Sequence, residues 1–360
     1  MVFYTRQLCT NTYSVEVELE EGTLIGYQTT GKHFEVFKQV PYAKSPEGNL
    51  RFRKPEPIGT FAGGIHDSVA VGDNLKACIG TGVGSNDLQD ALDMGFISED
   101  CLTMDIYRPV KNYHTRLPIF VWIHGGGLTS GTSAYYHFSR LAREDIIVAV
   151  VQYRLGVHGF LSSYSAEGLT ETPGNFGLLD QQAAIEKITI GGESAGGWSV
   201  GWHMLSTKST NMIRTAISQS GMASFDMSPQ DSEHGNLAIK HLCEKTKAKI
   251  NSTLACSGSS EDILNRFRTL TKNEIIQLEI ADRESRKEFE NYPEWAPVHY
   301  DGEFFKMNAK EEFEGGHIVD DVTYVIGSNS FEGSLIWKWL LRDVKTYDKA
   351  FENSLNKTKF

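Results

Sequence analysis

Ser194 stands in Gly192-Glu193-Ser194-Ala195-Gly196, directly after the β-branched run Ile188-Thr189-Ile190. The pattern G-x-S-x-G between a buried strand and a helix is the setting of a nucleophilic serine. The spacing has a steric reason. A serine on a tight strand-to-helix turn needs glycine on either side, so that β-carbons do not collide there. Its hydroxyl then stands clear of the sheet, beside the backbone N–H of Ala195. A pattern with three fixed positions in five arises often by chance, so the preceding strand and the further glycines carry much of the signal.

A second cluster, His124-Gly125-Gly126-Gly127, ends the apolar stretch "LPIFVWI". Successive glycines let backbone N–H groups point into a concavity that side chains would block, which is how the oxyanion of acyl transfer is held. The bland alternatives are a plain glycine turn or a phosphate loop. A phosphate loop needs Gly-Lys-Ser/Thr, which is absent. Two halves of one acyl-transfer site, in the expected order, favour the enzyme.

Such a site needs rigid strands to hold it. The first hundred residues read as short strands and loops: "YSVEVEL", "GTLIGYQ" and "FEVFKQVPYA" cluster or alternate β-formers. The runs "LPIFVWIHGGG", "DIIVAVVQYR", "ITIGGES", "TAISQSG" and "VTYVIGSNS" are short and rich in Val and Ile. Strands buried on both faces read this way. The expected class is α/β: a mostly parallel central sheet with flanking helices and a β-rich N-terminal edge. Residues 1–360 read as one domain, with a more polar helical insertion at about 228–294. One junction is odd. The helical candidate "GLLDQQAAIEK" runs into "ITIGGES" with no turn residue between them.

Bulk properties narrow the choice. The chain has 360 residues, 40% hydrophobic and 22% charged, and a formal net charge of -11. That charge argues against nucleic acid or an anionic membrane surface as partner. No apolar run reaches the length of a membrane span, about 18 residues. The N-terminus lacks the apolar core of a signal peptide. The five cysteines, Cys9, Cys78, Cys101, Cys243 and Cys256, show no C-x-x-C spacing, so a zinc or thioredoxin-like site is not expected. No metal or cofactor is implied.

Several stretches carry a resemblance: "VPYAKSPEGNLRFRKPEP", "SEDCLTMDIYRP", "IHGGG", "QYRLGVHGFLS", "PGNFGLLDQ", "GGESAGG", "SQSG" and "GSNSFEGS". In these, the chain resembles the type-B carboxylesterase family, the α/β-hydrolase group that includes cholinesterases, carboxylesterases and neuroligins. The resemblance implies that Ser194 is the nucleophile and that the amides of Gly126, Gly127 and Ala195 hold the oxyanion. It implies that Glu332 is the acid that orients a catalytic imidazole, and that Ser220 lies near that acid. It further implies ion pairs Arg51–Glu99 and Arg154–Asp180, and a Cys78–Cys101 disulfide. Cys243 and Cys256 fit a second bridge loosely, because Arg266 occupies the place expected for its second half.

The resemblance departs from the family in its histidine. The triad order on this fold is serine, acid, histidine. The 28 residues after Glu332 contain no histidine, and the last one, His317, precedes the acid. His203 reads as an ordinary helix residue, and His124 lies at the wrong edge for a base. The family also has a longer helix and a "GGDP"-type turn before "ITI". These two absences imply a truncated or spliced product or an imperfect gene model, with the C-terminal part of the hydrolase domain missing. An uncovered sheet edge predicts poor solubility.

The expected function is carboxylic ester hydrolysis on a small-molecule ester, inactive or weakly active for want of the base. The alternative is a non-catalytic, neuroligin-like protein that binds a protein partner. The place where cholinesterases carry a choline-stacking Trp falls at Ala91, which disfavours a cholinesterase. The compartment stays open. The expected bridge and the sequons at Asn251 and Asn356 point to secretion, whereas the N-terminus does not.

Overall fold

The computed structural model describes residues 12–29, 33–72, 75–80, 88–110, 116–165, 168–169, 172, 174–185, 188–209, 211–221, 232–250, 253–288, 303–305, 315 and 321–330. Its N-terminal edge is antiparallel. Strands β1 (Thr12–Leu19), β2 (Gly22–Thr29) and β3 (Phe34–Pro41) form a meander, and β4 (Ile65–Asp67) lies parallel to β2. Alternation builds β1: Val15 and Val17 pack toward Leu24 and Phe61, while Glu16 and Glu18 face solvent. β5 (Thr103–Pro109) pairs antiparallel with β3.

β6 (Ile119–Ile123), β7 (Ile147–Val151), β8 (Ile188–Glu193), β9 (Ile213–Gln219) and β10 (Thr323–Gly327) are mutually parallel. The sheet order is β1-β2-β3-β5-β7-β6-β8-β9-β10, with β4 beside β2. This is the mixed, largely parallel sheet of an α/β hydrolase. Burial on both faces explains the unbroken apolar runs. Val148 and Val150 of β7 pack with Trp122 on one face, and Ala149 and Val151 join Val121 and Ile123 in the main core on the other. β10 ends the described sheet, and its Val325 and Ile326 are half exposed.

Helix α1 (Phe176–Ala183) is shorter than the 177–187 read from the sequence. The Ala184 N–H already bonds to the Gln181 and Gln182 carbonyls as the helix ends. The connection to β8 is therefore drawn from residues that look helical, because Ile188 must enter the sheet, where its N–H bonds to Met212 O at 2.9 Å. α2 (Ala195–Leu205) follows β8 and is apolar nearly all round, as a helix buried against a sheet must be.

Between β9 and β10 lie α3 (Ser232–Ile250), α4 (Ser260–Arg268) and α5 (Lys272–Glu288). α4 opens with a capping box in which Ser259 and Asp262 satisfy each other's backbone N–H. Two disulfides are present, Cys78–Cys101 and Cys243–Cys256. Arg266, where a cysteine was expected, donates to Ala255 O at 2.9 Å and Ser257 O at 2.6 Å, on either side of Cys256 in the second bridge. Both expected ion pairs form. Arg51 meets Glu99 at 2.5 and 2.6 Å and also donates to Arg268 O at 3.1 Å, tying the α4 end to the sheet body. Among the described residues, no helix is long and apolar enough to cross a membrane.

Candidate active site

β8 delivers Ser194 to the sheet's C-terminal edge, and α2 begins one residue later. The turn is tight. Ser194 has φ 55° and ψ -122°, outside the ordinary regions for a residue with a side chain. Such a conformation costs on the order of 1–3 kcal/mol and persists only where its surroundings enforce it. Here its N–H donates to Gln219 O at 2.8 Å on β9, and its carbonyl accepts from Trp198 N at 3.0 Å in α2. The flanking glycines are required by close approach: a β-carbon on Gly192 would lie 2.8 Å from Ile123 O, and one on Gly196 would lie 3.0 Å from His124 O.

The glycine loop leaves the end of β6, next to β8 in the sheet. A β-carbon on Gly125 would lie 3.1 Å from Ser194 Cβ, so the two segments touch. Gly126 and Gly127 have φ 116° and 64°, and Gly127 is exposed. Ala195, at the N-terminus of α2, is fully buried. The structure thus brings Ser194, the glycine loop and Ala195 together at adjoining strand ends. The positive end of α2 favours negative charge here.

Ser220 follows β9 with φ 53°, and its N–H donates to Gly327 O at 2.7 Å, at the end of β10. Glu332 lies outside the described residues. So do His114, His299 and His317, and the side chain of His234.

The buried histidines have other partners. His203, on α2, contacts Ser209 Oγ through Nδ1 (2.7 Å) and Gln181 Oε1 through Nε2 (3.1 Å). Burial pushes it down to about 3. His158 is likewise held near 3, first by burial and then by Arg51 and Arg154. His124 lies beneath the glycine loop, where burial lowers it to about 4 and its bond to Gly125 only partly offsets the fall. Sequence reasoning placed His124 in the loop motif without a task for its ring. A cavity lined by Arg51, Glu99, Arg154, His158 and the Cys78–Cys101 bridge includes neither Ser194 nor the glycine loop.

Known proteins match this sequence over most of the chain. The sequence profile of the carboxylesterase family matches residues 13–360. The medium-chain fatty acyl-CoA hydrolase precursor of Anas platyrhynchos is 32% identical over 355 residues, 91% of this chain and 58% of the relative. Acylcarnitine hydrolase of Mus musculus is 33% identical over 343 residues, 89% of this chain and 55% of the relative. Cocaine esterase of Oryctolagus cuniculus is 39% identical over 238 residues, 59% of this chain and 42% of the relative. The chain spans about half the length of the curated relatives it matches. A match along nearly the whole chain, on an α/β-hydrolase sheet, makes this protein a member of the carboxylesterase family.

Proposed function

We propose that the site is that of a carboxylic ester hydrolase acting on small-molecule esters, with Ser194 as its nucleophile. The observation that carries the reading is the strained Ser194 turn in contact with the glycine loop. Ser194 Oγ attacks the ester carbonyl carbon, and the amides of Gly126, Gly127 and Ala195 stabilise the oxyanion. The C–O bond to the alcohol breaks, the alcohol takes a proton, and water then releases the acid from the acyl-enzyme. In a complete triad Glu332 would orient the imidazole that moves these protons, and these 360 residues do not supply that imidazole at the family position. Ser220 supports the region of that acid through the β9–β10 edge. In this reading 1–360 is a single domain, with 228–294 as a helical insertion beside the sheet.

The names of the similar proteins denote cleavage of acyl-CoA, acylcarnitine and cocaine. Their common chemistry is transfer of an acyl group to water. Ala91, buried in the short helix Leu88–Asp93, offers no aromatic face to a quaternary ammonium, which argues against a choline ester.

These 360 residues place no histidine after Glu332. Among the described residues, no histidine hydrogen-bonds the Ser194 hydroxyl. Loss of the histidine in a comparable serine hydrolase costs on the order of 10⁶ in kcat. A polypeptide limited to these 360 residues is therefore expected to turn over p-nitrophenyl butyrate barely above background. A fluorophosphonate probe tests the nucleophile: an Oγ–P bond forms, the P–F bond breaks, and the serine proton goes to solvent. Labelling that Ser194→Ala abolishes supports the hydrolase. A folded protein that resists labelling favours non-catalytic binding. Ordinary turnover that depends on Ser194 overturns the missing-base reading.

A further inference from the structure

The oxyanion loop is bonded from behind at two successive carbonyls. Gly125 O accepts from His124 Nδ1 at 2.9 Å. Gly126 O accepts from Ser130 Oγ at 2.8 Å, Ser130 N at 2.9 Å and Thr129 N at 3.2 Å. A planar trans peptide points its N–H opposite to its C=O. Holding Gly125 O therefore sets the direction of the Gly126 N–H, and holding Gly126 O sets that of the Gly127 N–H. These are the two loop amides assigned to the oxyanion. We propose that His124 and Ser130 are positioning residues that aim these amides, an inference that rests on reading Gly126 and Gly127 as oxyanion donors.

The ring of His124 is built into its place. It stacks on Tyr153 with centroids 4.5 Å apart and planes 21° from parallel, and the Tyr153 hydroxyl donates to His124 O at 2.8 Å. A β-carbon on Gly131, which has φ 113°, would lie 2.8 Å from His124 Cε1, so only glycine leaves the ring its space. A carbonyl only accepts, so Nδ1 must carry the hydrogen. Nε2 is buried without a partner, as suits a bare lone pair better than an orphaned N–H. Burial keeps the ring neutral at physiological pH, with its pKa near 4. Ser130 holds the second carbonyl with both hydroxyl and backbone N–H, so that its side chain is one of several donors there.

The test uses the full chain and saturation kinetics of fluorophosphonate labelling. Outright loss of one oxyanion donor costs about 10²–10³ in rate. Misaiming one through His124→Leu should lower the limiting labelling rate by about 10–100-fold and leave the half-saturating concentration within about 2-fold. His124→Asn, which keeps an N–H near the Nδ1 position, should stay within about 3-fold of wild type. Ser130→Ala should lose about 3–10-fold, because two backbone donors remain. Equal losses in the Leu and Asn variants, or a loss that falls on half-saturation instead, overturn the proposal. ¹⁵N-histidine NMR provides a readout that a purely structural role would not set: His124 should be the neutral Nδ1–H tautomer. An Nε2–H signal overturns the inference whatever the labelling shows. A wild-type chain that labels too slowly to measure, which the missing base alone would produce, leaves the decision to the tautomer, which shows whether Gly125 O is held. If His124→Leu does not fold, the Asn and Ser130→Ala rates and the tautomer decide.

Discussion

The Arg154–Asp180 pair offers the most direct perturbation of the frame that carries Ser194. Arg154 follows β7, and Asp180 sits on α1, the helix that feeds β8. Arg154 donates to Asp180 from Nε and Nη2, each at 2.7 Å, and from its backbone N–H at 3.1 Å. The side chains are 4% and 0% exposed, and the guanidinium lies 5.4 Å over the Phe176 ring. Asp180→Asn removes the negative charge and leaves a guanidinium buried without its counter-ion, which costs about 3–5 kcal/mol. At about 2.1 cal/mol/K per residue, a 360-residue chain melts with an entropy near 0.8 kcal/mol/K, so Tm should fall by about 4–7 °C. Replacing both partners, Arg154→Met with Asp180→Leu, removes both charges. It should recover at least half of the loss, short of full recovery because the Arg154 N–H still loses its acceptor. Urea and thermal unfolding of the three proteins measure both effects. An Asp180→Asn loss below about 1 kcal/mol, or a double variant as unstable as the single, refutes the claim that an uncompensated buried charge is the penalty.

Other expectations are as direct. His124, His158 and His203 have pKa values depressed to about 4, 3 and 3, below the ordinary 6.5, so the unfolded chain binds their protons first. Their stabilisation is full above pH 6.5 and is lost as pH falls toward 4 for His124 and toward 3 for His158 and His203, at about 1.4 kcal/mol per pH unit for each histidine. Denaturation midpoints should drop steadily as pH falls from about 6.5 to 5, and a flat profile there contradicts their burial. The Cys78–Cys101 bridge spans 23 residues, so Cys78→Ser with Cys101→Ser should cost about 3 kcal/mol in urea unfolding. A loss under about 1 kcal/mol would show that the unfolded chain gains little from release of that loop. Gly196→Ala drives a methyl against the carbonyls of Ile123 and His124 beneath the nucleophile. It should slow fluorophosphonate labelling at least 10-fold, comparable to partial loss of a transition-state contact. Unchanged labelling contradicts the close packing of α2 on β6.

The parts of this protein that could be read without coordinates are those encoded over a few neighbouring residues. Runs of Val and Ile announce strands buried on both faces, and the five core strands lie where those runs are. Glycines around Ser194 and after His124 announce backbone that a β-carbon would obstruct. Glu332 is proposed as the acid through family resemblance alone, since a glutamate after a strand has no local signature of catalysis.

Tertiary structure decided what depends on distant partners. α1 stops at Ala183 because Ile188 must meet Met212, a constraint that helix propensity does not contain. Lys38 looks like an outward-facing lysine on β3, yet it is buried against Asp105 at 2.9 Å. Burial alone would lower its pKa, but Asp105 more than offsets this and raises it. His124 has a task only because Gly125 turns its carbonyl back onto the ring and Tyr153 covers it. Local sequence sets which backbone shapes are sterically possible. Which polar atom satisfies which buried partner is set by the packing of segments far apart in the chain, where an unmet hydrogen bond is costly.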